Sequence, residues 1–106
     1  MPKYMIQASY TLEGLKGLQK DKASGRKAAV AAAVEGLGGK LEALYYTLGQ
    51  EDAFAIVDLP DTATATALAL AVSGSGLART KTTVLLTVEE TDKALAKSVA
   101  YRAPGR

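Results

Sequence analysis

The sequence predicts a single α+β domain with the element order β-α-β-β-α-β-α. Three observations predict it: segments that alternate with period two, segments with helical spacing between them, and glycine or proline at the boundaries. The chain has 106 residues, of which 48% are hydrophobic and 23% charged. This size and composition are typical of one globular domain.

The first strand is predicted over residues 3–10, where side chains alternate between two faces. One face is aromatic and aliphatic, and we expect it to be the buried one: Tyr4, Ile6, Ala8 and Tyr10. The opposite face is more polar and carries Met5, Gln7 and Ser9.

A long helical segment follows, with one interruption. Leucines recur at three-residue spacing after Thr11, which can cap a helix. Residues 20–25 predict a break or kink, and the Ala-rich residues 26–37 then continue as helix. Gly38 and Gly39 supply the stop.

Residues 40–48 and 53–59 are suited to two further strands. Gly49 to Asp52 form the turn between them, and Pro60 closes the second. So short a connection predicts an antiparallel hairpin.

Three elements complete the chain. Residues 62–72 alternate Thr and Ala as a strand would, but their Ala content, the capping Asp61 and the flanking turn residues favour a helix. Residues 77–86 predict the last strand, with Arg79 on the face opposite the core. A capping box at Thr87 opens a final helix to about residue 99.

The first six elements have the order of the split βαβ, or ferredoxin-like, arrangement. Both crossover helices should then cover one face of a four-stranded antiparallel sheet. The open face is too apolar in places to be left in water, so we expect a second copy of the chain to cover it, giving a dimeric α/β barrel. Residues 1–100 form the predicted domain and residues 101–106 a flexible tail.

Composition excludes several classes of function. The chain has no Cys and no His, so thiolate chemistry and zinc–thiolate sites are excluded, and we expect no metal and no cofactor. Asp21 interrupts the basic stretch from Lys16 to Lys27, which is typical of a solvated helix face rather than a nucleic-acid patch. We expect a cytoplasmic protein with no secretory leader, no membrane span and no nucleic-acid partner.

The strongest candidate for ligand binding is a pair of cations on the last strand. Arg79 and Lys81 are two residues apart, so they share a face and could clamp a carboxylate or phosphate. Gln7 and Ser9 would share that face. The alternative is an edge strand on which charges deter unwanted pairing.

Two further groups are candidates. Glu51 and Asp52 could bind a cation or act as a base, or simply form the hairpin turn. Tyr10, Tyr45 or Tyr46 could orient a substrate or donate a proton, or pack half-buried with the hydroxyl at the rim.

Several separated stretches resemble the GYD-domain family. They are the start Met-Pro-Lys-Tyr, the run from Gly38 to Tyr46, the Gly-Gln-Glu-Asp turn, and residues 57–61 and 78–82. The resemblance covers about residues 1–95. One position departs from it: Glu51 stands where the family motif has Tyr, while Asp52 is kept.

This resemblance implies a small bacterial or archaeal protein with a ferredoxin-like fold. Its architecture is similar to that of dimeric α/β-barrel proteins, which include cofactor-independent monooxygenases, lactone isomerases and ligand-sensing domains. Because proteins with the same fold can have different functions, the resemblance does not indicate which of these functions the chain has.

Two functional hypotheses follow. The first is an oligomeric module that binds a small acidic or aromatic molecule on the open sheet face. The second is a cofactor-independent enzyme of isomerase or monooxygenase type. The residues expected to bind the ligand are Gln7, Ser9, Tyr46, Asp52, Arg79 and Lys81.

Overall fold

The computed structural model describes residues 1–106 and contains four strands and three helices. The elements are β1 (Lys3–Tyr10), α1 (Leu12–Gly36), β2 (Lys40–Tyr46), β3 (Ala53–Asp58), α2 (Thr62–Gly74), β4 (Ala78–Leu85) and α3 (Val88–Leu95). The predicted order is confirmed, including the helical state of the Thr/Ala segment.

The strands form one antiparallel sheet in the order β2-β3-β1-β4. The two central strands, β1 and β3, pair directly, with Tyr4 opposite Val57. β4 lies on the other side of β1, with Val84 opposite Tyr4. This is the ferredoxin-like arrangement that the sequence predicted.

Both crossover helices pack on the same sheet face. Val34 of α1 and Ala65 of α2 belong to one buried cluster with Tyr4 and Val57 of the central strands. The cluster confirms the predicted inward face of β1. The core is thin, because only nine of the 106 residues are buried.

The sequence left open which face of β2 points inward, and a β-bulge decides it. The register with β3 slips between Leu41, which lies opposite Val57, and Ala43, which lies opposite Ile56. The bulge therefore turns Leu41 and Leu44 towards the helices. Tyr45 lies on the open face instead, where its ring stacks on that of Phe54 with centroids 5.6 Å apart.

The predicted interruption of the first helix is a kink at Lys22. This residue has φ 66° and ψ 165°, whereas the rest of α1 is helical. Such a conformation is essentially restricted to glycine and costs about 1–3 kcal/mol for other residues. The kink divides α1 into two helical pieces that differ in direction.

Replacing Lys22 with glycine is expected to stabilise the domain by about 1 kcal/mol, because glycine adopts this conformation without strain. Urea denaturation followed by circular dichroism measures the change. Lys20→Gly is the control: Lys20 has helical geometry, so this variant should lose about 1 kcal/mol. Equal destabilisation by both substitutions would contradict the assignment of strain to the kink.

The C-terminal helix stands away from the body of the domain. The capping box at Thr87 is confirmed, with Glu90 as its partner. However, α3 ends at Leu95, earlier than the predicted residue 99. Its apolar side chains are exposed, with Val88 at 80% and Leu95 at 78%.

None of the three helices combines the length and apolar character that a bilayer span requires.

Candidate ligand site

A cavity of about 400 Å³ lies between the helices and the sheet. Hydrophobic residues make up 20 of the 26 that line it. Its floor is formed by inward-facing residues of the three strands β1, β3 and β4: Ile6, Ala8, Ala53, Ala55, Ala78 and Thr80. We call this space the helix–sheet cavity.

Small side chains leave this space open. Four alanines lie on the floor, at positions where larger residues would fill the gap between the layers. The helices add Ala29 and Ala33 from α1 and Ala69 from α2. Protein interiors are normally close-packed with few voids larger than a water molecule. A cavity of this size is instead in the range of small-molecule sites.

Polar side chains gather in the lining from two directions. Tyr10 and Tyr46 come from the ends of β1 and β2, and Asp21 and Arg26 from the two sides of the kink in α1. The Nη1 atom of Arg26 lies 3.7 Å from Oδ2 of Asp21. The lining therefore holds a cation and a carboxylate from either side of the kink, in a space that is mainly hydrophobic and also includes Ser75 and Thr80.

Tyr46 is influenced by its surroundings in the cavity. The pKa of the Tyr46 phenol is raised to about 12, first because burial disfavours the phenolate and second because of the neighbouring Tyr10 phenol. The positive charge of Arg26 acts in the opposite direction, which places the guanidinium within electrostatic reach of this phenol. At neutral pH Tyr46 is protonated and able to donate a hydrogen bond.

The predicted ligand residues divide between the two sheet faces. Gln7, Ser9, Arg79 and Lys81 do come together, in a cleft of about 160 Å³ on the open face. Glu51 joins them: its carboxylate lies 3.6 Å from Nζ of Lys81 and accepts a 3.4 Å hydrogen bond from Ser9. We call this the open-face cleft.

The other two predicted residues lie elsewhere. Tyr46 faces the helix–sheet cavity. The Asp52 carboxylate accepts a 2.8 Å hydrogen bond from the backbone N–H of Tyr10, and its own N–H donates to the carbonyl of Ala8 at 2.9 Å. Asp52 thus ties the hairpin turn to the end of β1.

Comparison with known families accounts for nearly all of the chain. The model of the GYD domain matches residues 4–95. The chain belongs to the GYD-domain family. No curated protein and no solved structure matches it significantly. Within this GYD domain the matched segment includes the whole lining of the cavity and the whole open-face cleft.

The open-face cleft contains one carboxylate. It belongs to Glu51, the residue at which the sequence resemblance indicated a departure from the motif. It gives the cleft of this GYD domain a negative charge beside Lys81. No group of three or more acidic side chains is placed to hold a metal ion.

Sequence reasoning missed the polar end of the helix–sheet cavity. From the sequence, Arg26 was interpreted as part of a solvated basic helix face, and Asp21 as a residue that interrupts this basic stretch. The available signal was the four-residue spacing of Ala29 and Ala33, directly after the predicted kink. That spacing gives α1 of this GYD domain a face of small side chains, which leaves space beside it.

Proposed function

We propose that this GYD domain is a homo-oligomeric module that binds one small, largely apolar molecule in the helix–sheet cavity. The observation that carries the proposal is the cavity itself, about 400 Å³ with a mainly hydrophobic lining. A few converging polar groups in an apolar pocket are the usual features of a small-molecule site. Tyr10, Tyr46, Asp21 and Arg26 supply them here.

Binding is better supported than cofactor-independent catalysis. Asp21 is the single carboxylate in the lining, its side chain is 46% exposed, and it lies beside Arg26. The lining holds no second carboxylate and no histidine beside it, so the usual pair of acid and base groups is not present in the cavity.

The open-face cleft supports an aromatic ligand less well. It is lined by polar residues alone and is smaller than the helix–sheet cavity. Glu51 also competes with any acidic ligand for Lys81. The cations of this cleft are better explained as polar neighbours of an interface.

The rest of the open face supports self-association. Its centre is apolar, with Met5 opposite Ile56 in the register and the Tyr45–Phe54 stack beside them. Large apolar patches on a domain surface mark interaction sites. A second copy of the chain presents the same patch, so a twofold dimer would bury both.

Fluorescence of the neutral dye N-phenyl-1-naphthylamine tests the ligand site. We expect saturable binding with one dye per chain, and a loss of affinity of about tenfold or more in Ala33→Phe, which places a ring in the cavity. Ala32→Phe is the matched control, because its neighbouring position is not in the lining. The absence of saturable binding, or equal effects of the two substitutions, would overturn the proposed site.

Analytical ultracentrifugation tests the oligomer. We expect the unmodified chain to sediment as a dimer at micromolar concentration, and Ile56→Lys to sediment as a monomer because it places a charge in the apolar patch. Leu70→Lys is the control, since Leu70 is an exposed residue of α2 on the other side of the molecule. A monomeric unmodified chain would reject this part of the proposal.

A further inference from the structure

We infer that the molecule bound in the helix–sheet cavity is an amphipathic monocarboxylic acid, with its carboxylate on Arg26 and the tyrosine pair and its apolar body over the alanine floor. This inference rests on the proposed function and adds the chemical class of the ligand. It follows from three features of the lining: a cation with free donors, a protonated phenol, and a mainly hydrophobic remainder.

The cation is Arg26. Its guanidinium carries five N–H donors in a planar fork that matches a carboxylate. Its ion-pair partner, Asp21, approaches a single nitrogen at 3.7 Å, and the side chains of the pair are 37% and 46% exposed. Such an exposed pair contributes little to stability. A ligand carboxylate arriving from the cavity can therefore replace Asp21 as the partner of Arg26.

The second donor comes from the tyrosine pair. Tyr10 and Tyr46 both line the cavity. The raised pKa keeps the Tyr46 phenol protonated at neutral pH, so it can donate a hydrogen bond to an acceptor inside the cavity. A carboxylate has two oxygens and can accept from a guanidinium and a phenol at once.

The remaining lining residues restrict the chemistry of the ligand's body. Away from the polar groups the cavity is bounded by aliphatic side chains such as Val30, Leu44, Leu68 and Val72. Hydroxyl or amide groups placed there would lose their hydrogen bonds to water without replacement, at a cost of several kcal/mol each. Sugars and nucleotides are disfavoured for this reason. A phenyl or alkyl body loses nothing and buries its apolar surface.

Competition against bound N-phenyl-1-naphthylamine tests the inference on the full chain at pH 7. The competitors are 4-phenylbutanoate and the uncharged 4-phenylbutan-1-ol, which differ only in the head group. We expect the acid to displace the dye at a concentration about tenfold lower than the alcohol. We expect Arg26→Gln to remove this preference, so that the acid and the alcohol displace the dye at about the same concentration.

Two further variants distinguish the alternatives. Asp21→Asn removes the competing carboxylate, so it should increase the preference for the acid over the alcohol. Arg79→Gln alters the open-face cleft and should change neither competitor. If Arg79→Gln, rather than Arg26→Gln, abolishes the preference for the acid, the carboxylate is bound on the open face and the inference is wrong.

The outcome also separates this inference from the proposed function. If the dye does not bind, the proposed function itself fails. If the dye binds and both competitors displace it equally, the cavity is a ligand site but its ligand is not selected as an acid, and the inference alone is overturned.

Discussion

Replacing Gly14 with alanine is expected to destabilise the domain by about 3 kcal/mol or more, because there is no room for a side chain. Gly14 is buried in the first turn of α1. A Cβ atom there would overlap the backbone carbonyl oxygen of Leu77. Since that oxygen belongs to the backbone, a rotamer change cannot relieve the overlap, and α1 must move away from the start of β4.

The same carbonyl makes the displacement costly. It accepts hydrogen bonds from the N–H of Thr11 at 3.0 Å and from the Thr11 hydroxyl at 3.2 Å. The side-chain oxygen of Thr11 in turn accepts a 3.2 Å hydrogen bond from the N–H of Gly14 and so caps the helix. Moving α1 together with its N-cap residue away from Leu77 would break both hydrogen bonds from Thr11 to this carbonyl.

Gly17→Ala is the matched control, one turn further along the same helix. A Cβ at Gly17 has no neighbour within 4 Å, so this variant should gain up to about 1 kcal/mol from helix propensity. Urea denaturation of both variants measures the difference. A Gly14→Ala variant as stable as the unmodified chain would show that α1 does not approach β4 as closely as described.

This pair of glycines illustrates what the sequence could not predict. Helix propensity depends on residue type alone, so the sequence by itself assigns Gly14 and Gly17 the same cost to the helix. Their difference arises from Leu77, a residue more than sixty positions away. Local signals succeeded where the cause was local: the capping box at Thr87, the turn residues, and the alternation that placed Arg79 and Lys81 together.

In the candidate site, too, the sequence predicted what depends on local pattern. Alternation along regular strands correctly grouped Gln7, Ser9, Arg79 and Lys81, because side chains two residues apart on paired strands point to the same side of the sheet. The sequence left the face of Tyr46 open, and the bulge between Leu41 and Ala43 interrupts the alternation of β2. The cavity itself depends on the distance between two layers, which no single segment encodes.

Leu59→Ala is expected to cost about 3 kcal/mol, the second large effect. Leu59 directly follows β3, is fully buried and belongs to the core cluster with Val34 and Val57. Removing its side chain leaves a cavity in a core of only nine buried residues. Because typical domains have only about 5–15 kcal/mol of total stability, this loss is a large fraction of it.

Leu48→Ala provides the control for the same chemical change. Leu48 lies in the hairpin turn and is fully exposed, so its truncation should alter the free energy of unfolding by about 0.5 kcal/mol or less. Both free energies come from urea denaturation with a common slope. Equal losses in the two variants would contradict the assignment of the core.

Leu59→Ala also connects stability to the proposed ligand, because Leu59 is not part of the cavity lining. A molecule that binds only the folded chain stabilises it by about 2.7 kcal/mol at one hundred times its dissociation constant. Bound N-phenyl-1-naphthylamine should therefore stabilise Leu59→Ala and the unmodified chain equally, and recover most of the lost stability.

In Ala33→Phe the same dye concentration should give little stabilisation, since the substitution occupies the space where the dye binds. Stabilisation of Ala33→Phe equal to that of Leu59→Ala would show that the dye binds outside the helix–sheet cavity.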